Sequence, residues 1–328
     1  MRVLVVGGAG YIGSHTVREL IRAGHEPVVL DNFSEGHREA IPGVPVLEGD
    51  LLYVNSLRNA FKTQPFDAVF HFAAHASVPE SVANPLKYYS NNVAGSLNLV
   101  LAMVESGVER LVFSSTAAVY GEPVQMPIPE DHPTRPVNPY GDSKLLIEHM
   151  LATISAAQPI RYLALRYFNA AGADPDGDLG EDHAQETHLI PRLLLTALGQ
   201  FEKFMIFGTD YDTEDGSCVR DFVHVNDIAR AHVLGLGLID QQPNQSINLG
   251  SSHGFSVKEV VDEAQRLVGT ALPVELAERR PGDPPRLIAS NQKAKQLLGW
   301  EPQRSDLRTI LESAWNWHQA HPHGYRTP

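Results

Sequence analysis

Apolar residues in the first half of the chain fall into short runs that alternate with longer amphipathic segments. Such runs, bounded by polar or glycine-rich stretches, have the length and pattern of buried strands. They are Val3–Val6, Val28–Leu30, Val44–Leu47, Ala68–Phe72, Arg110–Ser114 and Tyr162–Arg166. Strands that alternate with helices are typical of a doubly wound parallel sheet. We therefore predict a Rossmann-type α/β fold whose ligand-binding loops lie at the carboxyl ends of the strands.

Helical periodicity predicts three helices among these strands. The first runs from Tyr11 to Ala23, with Gly24 as its C-cap. The second covers Tyr88–Ser106 and carries one apolar stripe. The third contains Tyr140 in its first turn, because the preceding Pro139 is well tolerated at a helix start, and it continues through Ile154.

The composition of the chain changes after Asn169. Residues 173–180 are rich in Asp, Gly and Pro, which predicts a loop, and mixed short elements follow. We interpret residues 1–169 as a dinucleotide-binding domain and residues 170–328 as a smaller α/β substrate-binding domain. Part of the segment 219–250 is expected to pack back on the first domain, because it has strand-then-helix character.

Glycines follow the first strand directly and open the first helix. The spacing of Gly7, Gly10 and Gly13 lets the backbone approach a pyrophosphate, which the helix N-terminus favours. Asp31 follows the second strand, where a carboxylate accepts adenosine ribose hydroxyls and repels a 2′-phosphate. The pattern therefore predicts NAD rather than NADP. Asp50, after the third strand, is placed either to reach the adenine or to cap a helix.

Tyr140 and Lys144 are four residues apart on the third predicted helix and so share a face of it. A phenol with a pKa of about 10 is a poor base at neutral pH. A neighbouring ammonium group favours the phenolate. We therefore expect Lys144 to move the pKa of Tyr140 toward the working range of a general base.

The charge balance limits the partners of the protein. The 39 acidic and 26 basic residues give a formal net charge of −13, which argues against nucleic acid and anionic membranes. An anionic ligand would therefore need local arginines. The single cysteine, Cys218, indicates a reducing compartment, and no apolar run approaches the roughly 20 residues of a membrane span. We expect a cytoplasmic protein.

The order of motifs along the whole chain resembles the extended short-chain dehydrogenase/reductase family, and closely its UDP-glucose 4-epimerase branch. The matching segments are Gly7–His15, Asp31–Ser34, Asn91–Asn92, Ser114–Gly121, Asn138–Lys144, Arg166–Asn169, Gly180–Asp182, Phe207–Gly208, Asp215–Asp221, Arg279–Asp283 and His321–Tyr325. Each motif is weak alone, but their order is specific. The resemblance implies an NAD-dependent isomerase that interconverts UDP-glucose and UDP-galactose through a transient 4-keto sugar. It also implies a homodimer formed by the Tyr88–Ser106 and Tyr140–Ala157 helices.

The resemblance also implies roles for individual residues. Tyr140 would take the proton of the sugar O4, Lys144 would tune it and hold the nicotinamide ribose, and Thr116 would relay the proton or orient O4. The implied cofactor-binding residues are Gly7, Gly10, Tyr11, Ile12, Gly13, Asp31, Asn32, Phe33, Ser34, Asp50, Leu51, Phe72, Ala73, Asn92, Tyr140, Lys144 and Phe168. The implied substrate-binding residues are Thr116, Asn169, His188, Leu189, Phe207, Arg220, Arg280, Asp283 and Leu287.

The two arginines of this set are expected to hold the diphosphate, because guanidinium groups match its oxygens. Arg220 and Arg280 can instead form salt bridges with Asp221 or Asp283, and this alternative stays open. Alternatively, Asp283 would not pair with an arginine but would accept hydrogen bonds from the uridine ribose hydroxyls.

Some positions depart from the family pattern. Ala76 stands where one branch has a lysine, and Pro79 replaces a glycine, which leaves one phosphate contact of the cofactor open. Leu287 aligns with the residue that controls pocket size, and it is smaller than the tyrosine of some relatives. The alternatives are therefore a UDP-N-acetylglucosamine or UDP-pentose 4-epimerase. A non-catalytic NAD-sensing Rossmann protein is less favoured, because the Tyr, Lys and Thr of the site are all present.

Two groups of histidines could be mistaken for metal sites, but we expect neither to bind a metal. His188 has no second ligand at usable sequence spacing, so no metal is expected there. The group His318, His321 and His323 is expected to be a solvated tail.

Overall fold

The computed structural model describes residues 1–280 and 283–325. Pro281 and Gly282 of the Arg279–Asp283 motif, and the last three residues of the predicted second domain, lie outside the described residues. The strands are β1 (Arg2–Val6), β2 (Glu26–Asp31), β3 (Val46–Glu48), β4 (Ala68–His71), β5 (Arg110–Thr116), β6 (Arg161–Tyr167), β7 (Asn169–Ala171), β8 (Phe204–Phe207), β9 (Val219–Arg220), β10 (Phe222–His224), β11 (Gln245–Leu249), β12 (Phe255–Ser256), β13 (Val274–Ala277) and β14 (Arg286–Leu287). The helices are α1 (Tyr11–Arg22), α2 (Val54–Thr63), α3 (Val78–Ala83), α4 (Pro85–Tyr88), α5 (Gly95–Ser106), α6 (Pro139–Ser155), α7 (Leu189–Ala197), α8 (Val225–Leu238), α9 (Val257–Val268), α10 (Gln292–Leu298) and α11 (Leu307–Ala320).

The main sheet is parallel and doubly wound, which confirms the predicted fold class. Its strand order is β11-β6-β5-β4-β1-β2-β3. The order reverses at β1, so the crevice at the carboxyl ends of β1 and β4 is the expected place for a dinucleotide. Each predicted strand lies in this sheet within two residues of its predicted bounds.

Helices cover both faces of the sheet, and β1 shows how the sequence specifies this. Val3 and Val5 face one layer, which contains α1 and α8. Leu4 and Val6 face the other layer, which contains α2, α5 and α6. All four side chains are fully buried. A strand that is covered on both sides must be apolar at every position, which is why these segments do not alternate with polar residues.

The second lobe has its own core, in which α7, α9 and α11 pack around short strand pairs. Its buried residues include Leu193, Val260, Ile310 and Leu311. The strand pairs are β7 with β10 and β8 with β13. The chain returns from this lobe to the main sheet through α8, which packs on α1, and β11, which pairs with β6.

The predicted Tyr88–Ser106 helix is interrupted. The helix α4 ends at Tyr88, a π-helical turn covers Tyr89–Ala94, and α5 follows. π-Turns widen a helix by one residue and often occur at functional sites. Asn92 lies in this turn and is fully buried. Among the residues that the structure describes, no helix combines the length and apolar character that crossing a bilayer would need.

Candidate active site

The glycine turn leaves room for a ligand at one position only. A Cβ at Gly7 would lie 2.4 Å from the Ala73 nitrogen, and a Cβ at Gly13 would lie 2.3 Å from the Gly7 oxygen. These two glycines therefore permit close backbone packing. A Cβ at Gly10 would approach nothing nearer than 3.6 Å. Gly10 is also the N-cap of α1 and offers no side-chain cap, so the amides of the first turn face open space that fits a pyrophosphate.

Asp31 is held rigidly at the end of β2. Its Oδ2 accepts a hydrogen bond from the Ala9 nitrogen at 2.9 Å, and its Oδ1 accepts one from the Phe33 nitrogen at 2.8 Å. Burial raises the pKa of Asp31, and these backbone donors oppose the rise. Each carboxylate oxygen has a further lone pair, so the group fits two ribose hydroxyls.

The loop after β2 is joined to the loop after β3. The Asn32 amide donates to Asp50 Oδ2 at 2.9 Å, and Leu52 N donates to Asp50 Oδ1 at 2.8 Å. Asp50 thus closes a turn before α2. It does not cap that helix, because Tyr53 is the N-cap and has no side-chain bond.

The other residues predicted to lie near the adenine are held by contacts within this loop. Ser34 donates from its nitrogen and hydroxyl to Asn32 Oδ1. Phe33 lies under the guanidinium of Arg38, 4.2 Å from its ring centroid. Leu51 is buried in the core beneath this loop.

The side chain of Tyr11 does not face a cofactor. Its hydroxyl donates to the Gly172 oxygen at 2.6 Å and ties α1 to the loop after β7. Burial and the carboxylates of Glu181 and Glu186 raise the pKa of Tyr11 well above its ordinary value. Only the backbone of Tyr11 remains for the predicted cofactor role, and the Ile12 side chain packs against the core.

The loop after β4 is fastened to the π-turn and to α6 by Asn92. The Asn92 Oδ1 accepts from the His75 nitrogen at 2.9 Å, and its Nδ2 donates to the His75 oxygen and to Ser143 Oγ, both at 3.1 Å. Ala73 packs against the glycine turn. The Phe72 ring instead lies 4.7 Å from the ring of His232, within the core.

The two departures in this loop are accommodated without strain. Ala76 is exposed. Pro79 lies in the first turn of α3, whose N-cap Ser77 accepts a hydrogen bond from the Glu80 nitrogen. A glycine is not needed here, because proline is favoured in a first helical turn.

Tyr140 and Lys144 lie on the first turns of α6, as predicted. Asn138 caps this helix by accepting the Gly141 N–H at 2.8 Å, and Pro139 follows it. Thr116, at the carboxyl end of β5, is near enough to the Tyr140 hydroxyl to lower the pKa of Tyr140. The Lys144 ammonium is buried and donates to the Ser114 oxygen at 2.8 Å.

The prediction that Lys144 lowers the pKa of Tyr140 is wrong. Desolvation raises the pKa of Tyr140, and the opposing influence is the hydrogen bond from Thr116. Burial also lowers the pKa of Lys144 to about 7, against the attraction of Glu148. The spacing on a helix therefore predicted that the two residues are neighbours. It did not predict the main cause of their pKa shifts, which is the removal of both groups from water.

A buried ionic network next to the predicted catalytic pair was not expected from the sequence. The Glu148 carboxylate, on α6, accepts hydrogen bonds from Arg166 Nε at 2.9 Å and from Arg166 Nη2 at 2.5 Å. It also accepts the Ser115 hydroxyl at 2.5 Å, on the strand that carries Thr116. The network fixes β5, β6 and α6 relative to one another. Arg166 lies within a recognised motif, but nothing in the sequence pairs it with Glu148.

The predicted substrate residues meet around β9 and β14. Arg220 Nη1 donates to the Pro284 oxygen at 2.9 Å, and Arg220 Nη2 lies 3.4 Å from Asp283 Oδ1. The salt-bridge alternative therefore holds for Arg220, with Asp283 as its partner. Asp221 is not that partner: its carboxylate accepts backbone hydrogen bonds from Ser251, Ser252 and Ala289.

Other predicted residues lie near these strands or at the start of α7. The Arg280 guanidinium lies 3.9 Å from the centroid of the Phe207 ring, a cation–π geometry. Asn169 donates its N–H to the Asp221 oxygen at 3.0 Å. His188 is the N-cap of α7, and Leu189 is its first residue.

Leu287 contributes to a small apolar cluster beside α6. The cluster contains Tyr120, Ile128 and Leu145, and both Phe168 and Leu287 pack against it. Because Leu145 directly follows Lys144 in α6, this packing brings the predicted pocket-size residue to the catalytic helix.

The statement that His188 lacks possible ligands is wrong, and the expectation of a solvated tail is wrong for two of its three histidines. His188 Nδ1 lies 2.6 Å from Glu181 Oε1, and Glu186 and His183 are also near, so possible ligands do surround it. His318 is buried, and the His321 ring stacks on Trp317 at a centroid distance of 3.8 Å. His318 and His321 are thus packed against the second lobe, whereas His323 is exposed as expected.

Known proteins resemble this chain over its whole length. The curated UDP-glucose 4-epimerase of Halalkalibacterium halodurans is 52% identical over 328 residues, which cover 100% of this chain and 98% of that protein. The crystal structure of UDP-glucose 4-epimerase from Brucella ovis in complex with NAD has a TM-score of 0.93 at 47% identity, covering 96% of this chain and 97% of that one. The UDP-Glc/GlcNAc 4-epimerase of Campylobacter jejuni has a TM-score of 0.86 at 43% identity, covering 97% and 99%.

A family model gives the same result from sequence alone. The model of the NAD dependent epimerase/dehydratase family matches residues 3–250, which include the glycine turn, Tyr140, Lys144 and the return to the main sheet. The chain therefore belongs to the NAD dependent epimerase/dehydratase family.

Proposed function

We propose that this protein is a UDP-hexose 4-epimerase that interconverts UDP-glucose and UDP-galactose through a transient 4-keto sugar. The observation that carries the proposal is the placement of Tyr140 beside Thr116, with the buried Lys144 one turn further along α6. This pair lies at the sheet edge that also carries the glycine turn. The full-length similarity to UDP-glucose 4-epimerases, among them one with bound NAD, supports the same reaction.

The reaction needs a base that first takes and later returns one proton. Tyr140 as phenolate accepts the O4 proton while the C4 carbon is oxidised, and Tyr140 as phenol returns that proton when the ketone is reduced. Thr116 orients O4 through its hydroxyl. Bound NAD supplies reversible hydride acceptance at C4. The sugar must turn within the site between the two steps, because the configuration at C4 is inverted.

Lys144 and Asp31 are proposed to hold the two ends of the cofactor. Lys144 is a donor at the nicotinamide ribose, and Asp31 accepts the hydroxyls of the adenosine ribose. Gly10 and the first turn of α1 receive the pyrophosphate. This arrangement keeps the cofactor in place through both half-reactions, so no second redox substrate is required.

The nucleotide end of the substrate is proposed to meet Arg220 and Arg280. In an acidic protein these guanidinium groups supply the local positive charge that a diphosphate requires. When substrate binds, Arg220 releases its ion pair with Asp283 and contacts the phosphate oxygens instead. The Asp283 carboxylate can then accept hydrogen bonds from the uridine ribose. Asn169, with His188 and Leu189 at the start of α7, lies toward the diphosphate and the sugar.

A single incubation tests the proposal. Purified protein is incubated with UDP-glucose deuterated at C4, without added NAD. The nucleotide sugars are then separated, and the deuterium content of each is measured by mass spectrometry. UDP-galactose that retains its deuterium is the expected product, because the same hydrogen returns to the same carbon. UDP-galactose without deuterium, or no product from protein shown to contain NAD, would contradict the proposal.

A second substrate class is favoured by Leu287. Its side chain leaves more space beside the Phe168 cluster than a tyrosine would, and a structurally similar relative is a UDP-Glc/GlcNAc 4-epimerase. We propose that UDP-N-acetylglucosamine is accepted as well. Its failure both as a substrate and as a competitor of UDP-glucose would remove this second activity.

The active form is proposed to be a homodimer. Leu97 and Leu101 on α5, and Leu146 on the adjoining α6, are each at least 40% exposed. Apolar side chains clustered on two neighbouring helices are typical of a protein interface. A symmetric four-helix arrangement of these two helices with their counterparts would cover them.

Two further proposals concern organisation. Residues 1–169 form the NAD-binding domain and the later residues the substrate-binding domain, with α8 and β11 contributed back to the first. A reducing, cytoplasmic location is proposed from Cys218, which is free and buried.

A further inference from the structure

The segment between β7 and α7 brings together four side chains, of which only His188 has a role in the proposed function, as a residue near the substrate. They are Glu181, His183, Glu186 and His188. One donor atom from each lies within 4.8 Å of all the others. Two imidazoles and two carboxylates converging in this way make a ligand set that divalent transition metals prefer.

The donor distances are close to those of a metal centre. His183 Nδ1 lies 3.1 Å from Glu186 Oε2 and 3.5 Å from Glu181 Oε1. His188 Nδ1 lies 2.6 Å from Glu181 Oε1 and 3.5 Å from Glu186 Oε1. In a tetrahedral zinc site with bonds of about 2.0–2.1 Å, neighbouring donors are about 3.3 Å apart. The four measured distances scatter around this spacing, so side-chain adjustments within the 4.8 Å cluster would bring the donors into a coordination shell.

The burial of the carboxylates argues for a cation at this place. The side chains of Glu181 and Glu186 are only 5% exposed. In the part of the chain that the structure describes, their ion-pair partners are His183 and His188, and neither carboxylate has a lysine or arginine within 4.0 Å. Two buried carboxylates that share a site repel each other strongly unless positive charge lies between them.

The surroundings hold the cluster in a fixed position. Gly180 packs against the ring of Trp317, where a Cβ would come within 2.2 Å, and Trp317 Nε1 donates to the Glu181 oxygen at 3.3 Å. His188 directly precedes α7, and its backbone oxygen accepts the Arg192 N–H of the first turn at 3.1 Å, so the other end of the segment is also anchored. A bound ion would join these two anchors.

We propose that Glu181, His183, Glu186 and His188 bind one divalent transition-metal ion, with Zn²⁺ as the ion that suits the donor set. The ion fixes the segment that leads into α7. This site does not depend on the proposed reaction, because none of its ligands is required for proton or hydride transfer.

The test is metal binding by the intact protein, and it does not rely on activity. The protein is treated with a chelator, dialysed, and titrated with Zn²⁺ against a chromophoric chelator, with the melting temperature measured in parallel. One Zn²⁺ per chain at micromolar or tighter affinity, with a rise in melting temperature, is expected. Absence of saturable binding and of any thermal shift would overturn the proposal and leave the cluster as an ion-pair network.

Variants localise the site. Glu181→Gln and His183→Gln each remove one ligand and should weaken Zn²⁺ binding roughly 100-fold. Even the loss of a residue that only hydrogen-bonds to a metal ligand typically lowers metal affinity about 10–100-fold. His25→Gln is the matched control, because the His25 ring is hydrogen-bonded to the Met1 amine and His25 directly precedes β2, outside the segment that carries the cluster. If Glu181→Gln fails to fold, His183→Gln, which is partly exposed, carries the test. Unchanged zinc affinity in folded His183→Gln would contradict the assignment.

Discussion

Leu287 lies directly opposite Arg220 in the parallel pairing of β14 with β9. The side chain that is predicted to set the size of the sugar pocket therefore shares a strand pair with the cation that is predicted to hold the diphosphate. Phe168 and Leu287 also pack on one apolar cluster, which reaches α6 through Leu145. The residues predicted to set pocket size, to bind phosphate and to act in catalysis are thus linked by direct packing in one small region.

Leu287→Tyr should narrow the substrate range. The larger ring fills the space beside Phe168, and a poorly fitting group typically costs about 1–3 kcal/mol, or 10–200-fold in rate. The ratio of kcat/KM for UDP-N-acetylglucosamine to that for UDP-glucose should fall at least about tenfold. Leu287→Met, which conserves volume, is the control and should leave the ratio unchanged. An equal loss for both substrates would show that Leu287 does not select between them.

Thr116→Val should move the pH–rate profile toward alkaline pH. Desolvation raises the pKa of Tyr140, and the Thr116 hydrogen bond lowers it, so removing that bond leaves the phenol harder to ionise. Because the ionised form is the base, kcat/KM should rise with pH and reach its plateau at higher pH in the variant. Thr116→Ser keeps the hydroxyl and should keep the wild-type profile. A profile that moves to lower pH would contradict the assigned roles.

Asp174→Asn should destabilise the junction between the lobes. Asp174 has a side chain that is 1% exposed, lies 3.2 Å from Arg18 and from Arg22, and accepts the Asn226 amide at 3.0 Å. Burial alone would raise its pKa, but the Asp176 N–H, Asn226 and Arg22 hold the pKa well below the ordinary 3.8. The loss should be about 1–3 kcal/mol at pH 7.

The pH dependence of that loss has a definite sign. A carboxylate whose pKa is depressed in the folded state stabilises it above the unfolded pKa, and the contribution is lost as the pH falls. Denaturant unfolding of wild type and Asp174→Asn should therefore give curves that differ most above about pH 5 and converge as the pH falls below 4. A difference that grows on acidification would contradict this account.

Leu101→Lys should convert the proposed homodimer to a monomer. Leu101 is exposed beside Leu97 on α5, so a charge there would be buried unpaired in the interface. Light scattering coupled to size exclusion should show half the mass of the wild type. Leu276→Lys, at an exposed leucine on β13, is the control and should leave the mass unchanged. A wild-type monomer, or a Leu101→Lys dimer, would contradict the proposed interface.

Much of the fold could be predicted from the sequence because its signals are local. The glycine turn, the apolar strands and the Asn138–Pro139 start of α6 each depend on residues a few positions apart. The π-turn at Tyr89–Ala94 could not be predicted, because it replaces α-helical hydrogen bonds without changing the apolar stripe.

The candidate site was less predictable where contacts join distant segments. Arg166 and Glu148 are on different elements, and no spacing rule pairs them. The raised pKa of Tyr140 depends on burial, which the Tyr-x-x-x-Lys spacing does not report. His188 seemed to lack metal ligands because its neighbours lie along an irregular segment rather than at positions repeated on a helix.

The role of Tyr140 as the base is tested most directly by Tyr140→Phe. The variant is purified with its NAD content measured after denaturation, and its conversion of UDP-glucose to UDP-galactose is compared with that of the wild type. Removal of the hydroxyl should lower kcat by about 10²–10⁴-fold while NAD content stays at the wild-type level. Turnover within a few-fold of the wild type would contradict the account, because a group other than Tyr140 would then have to transfer the proton.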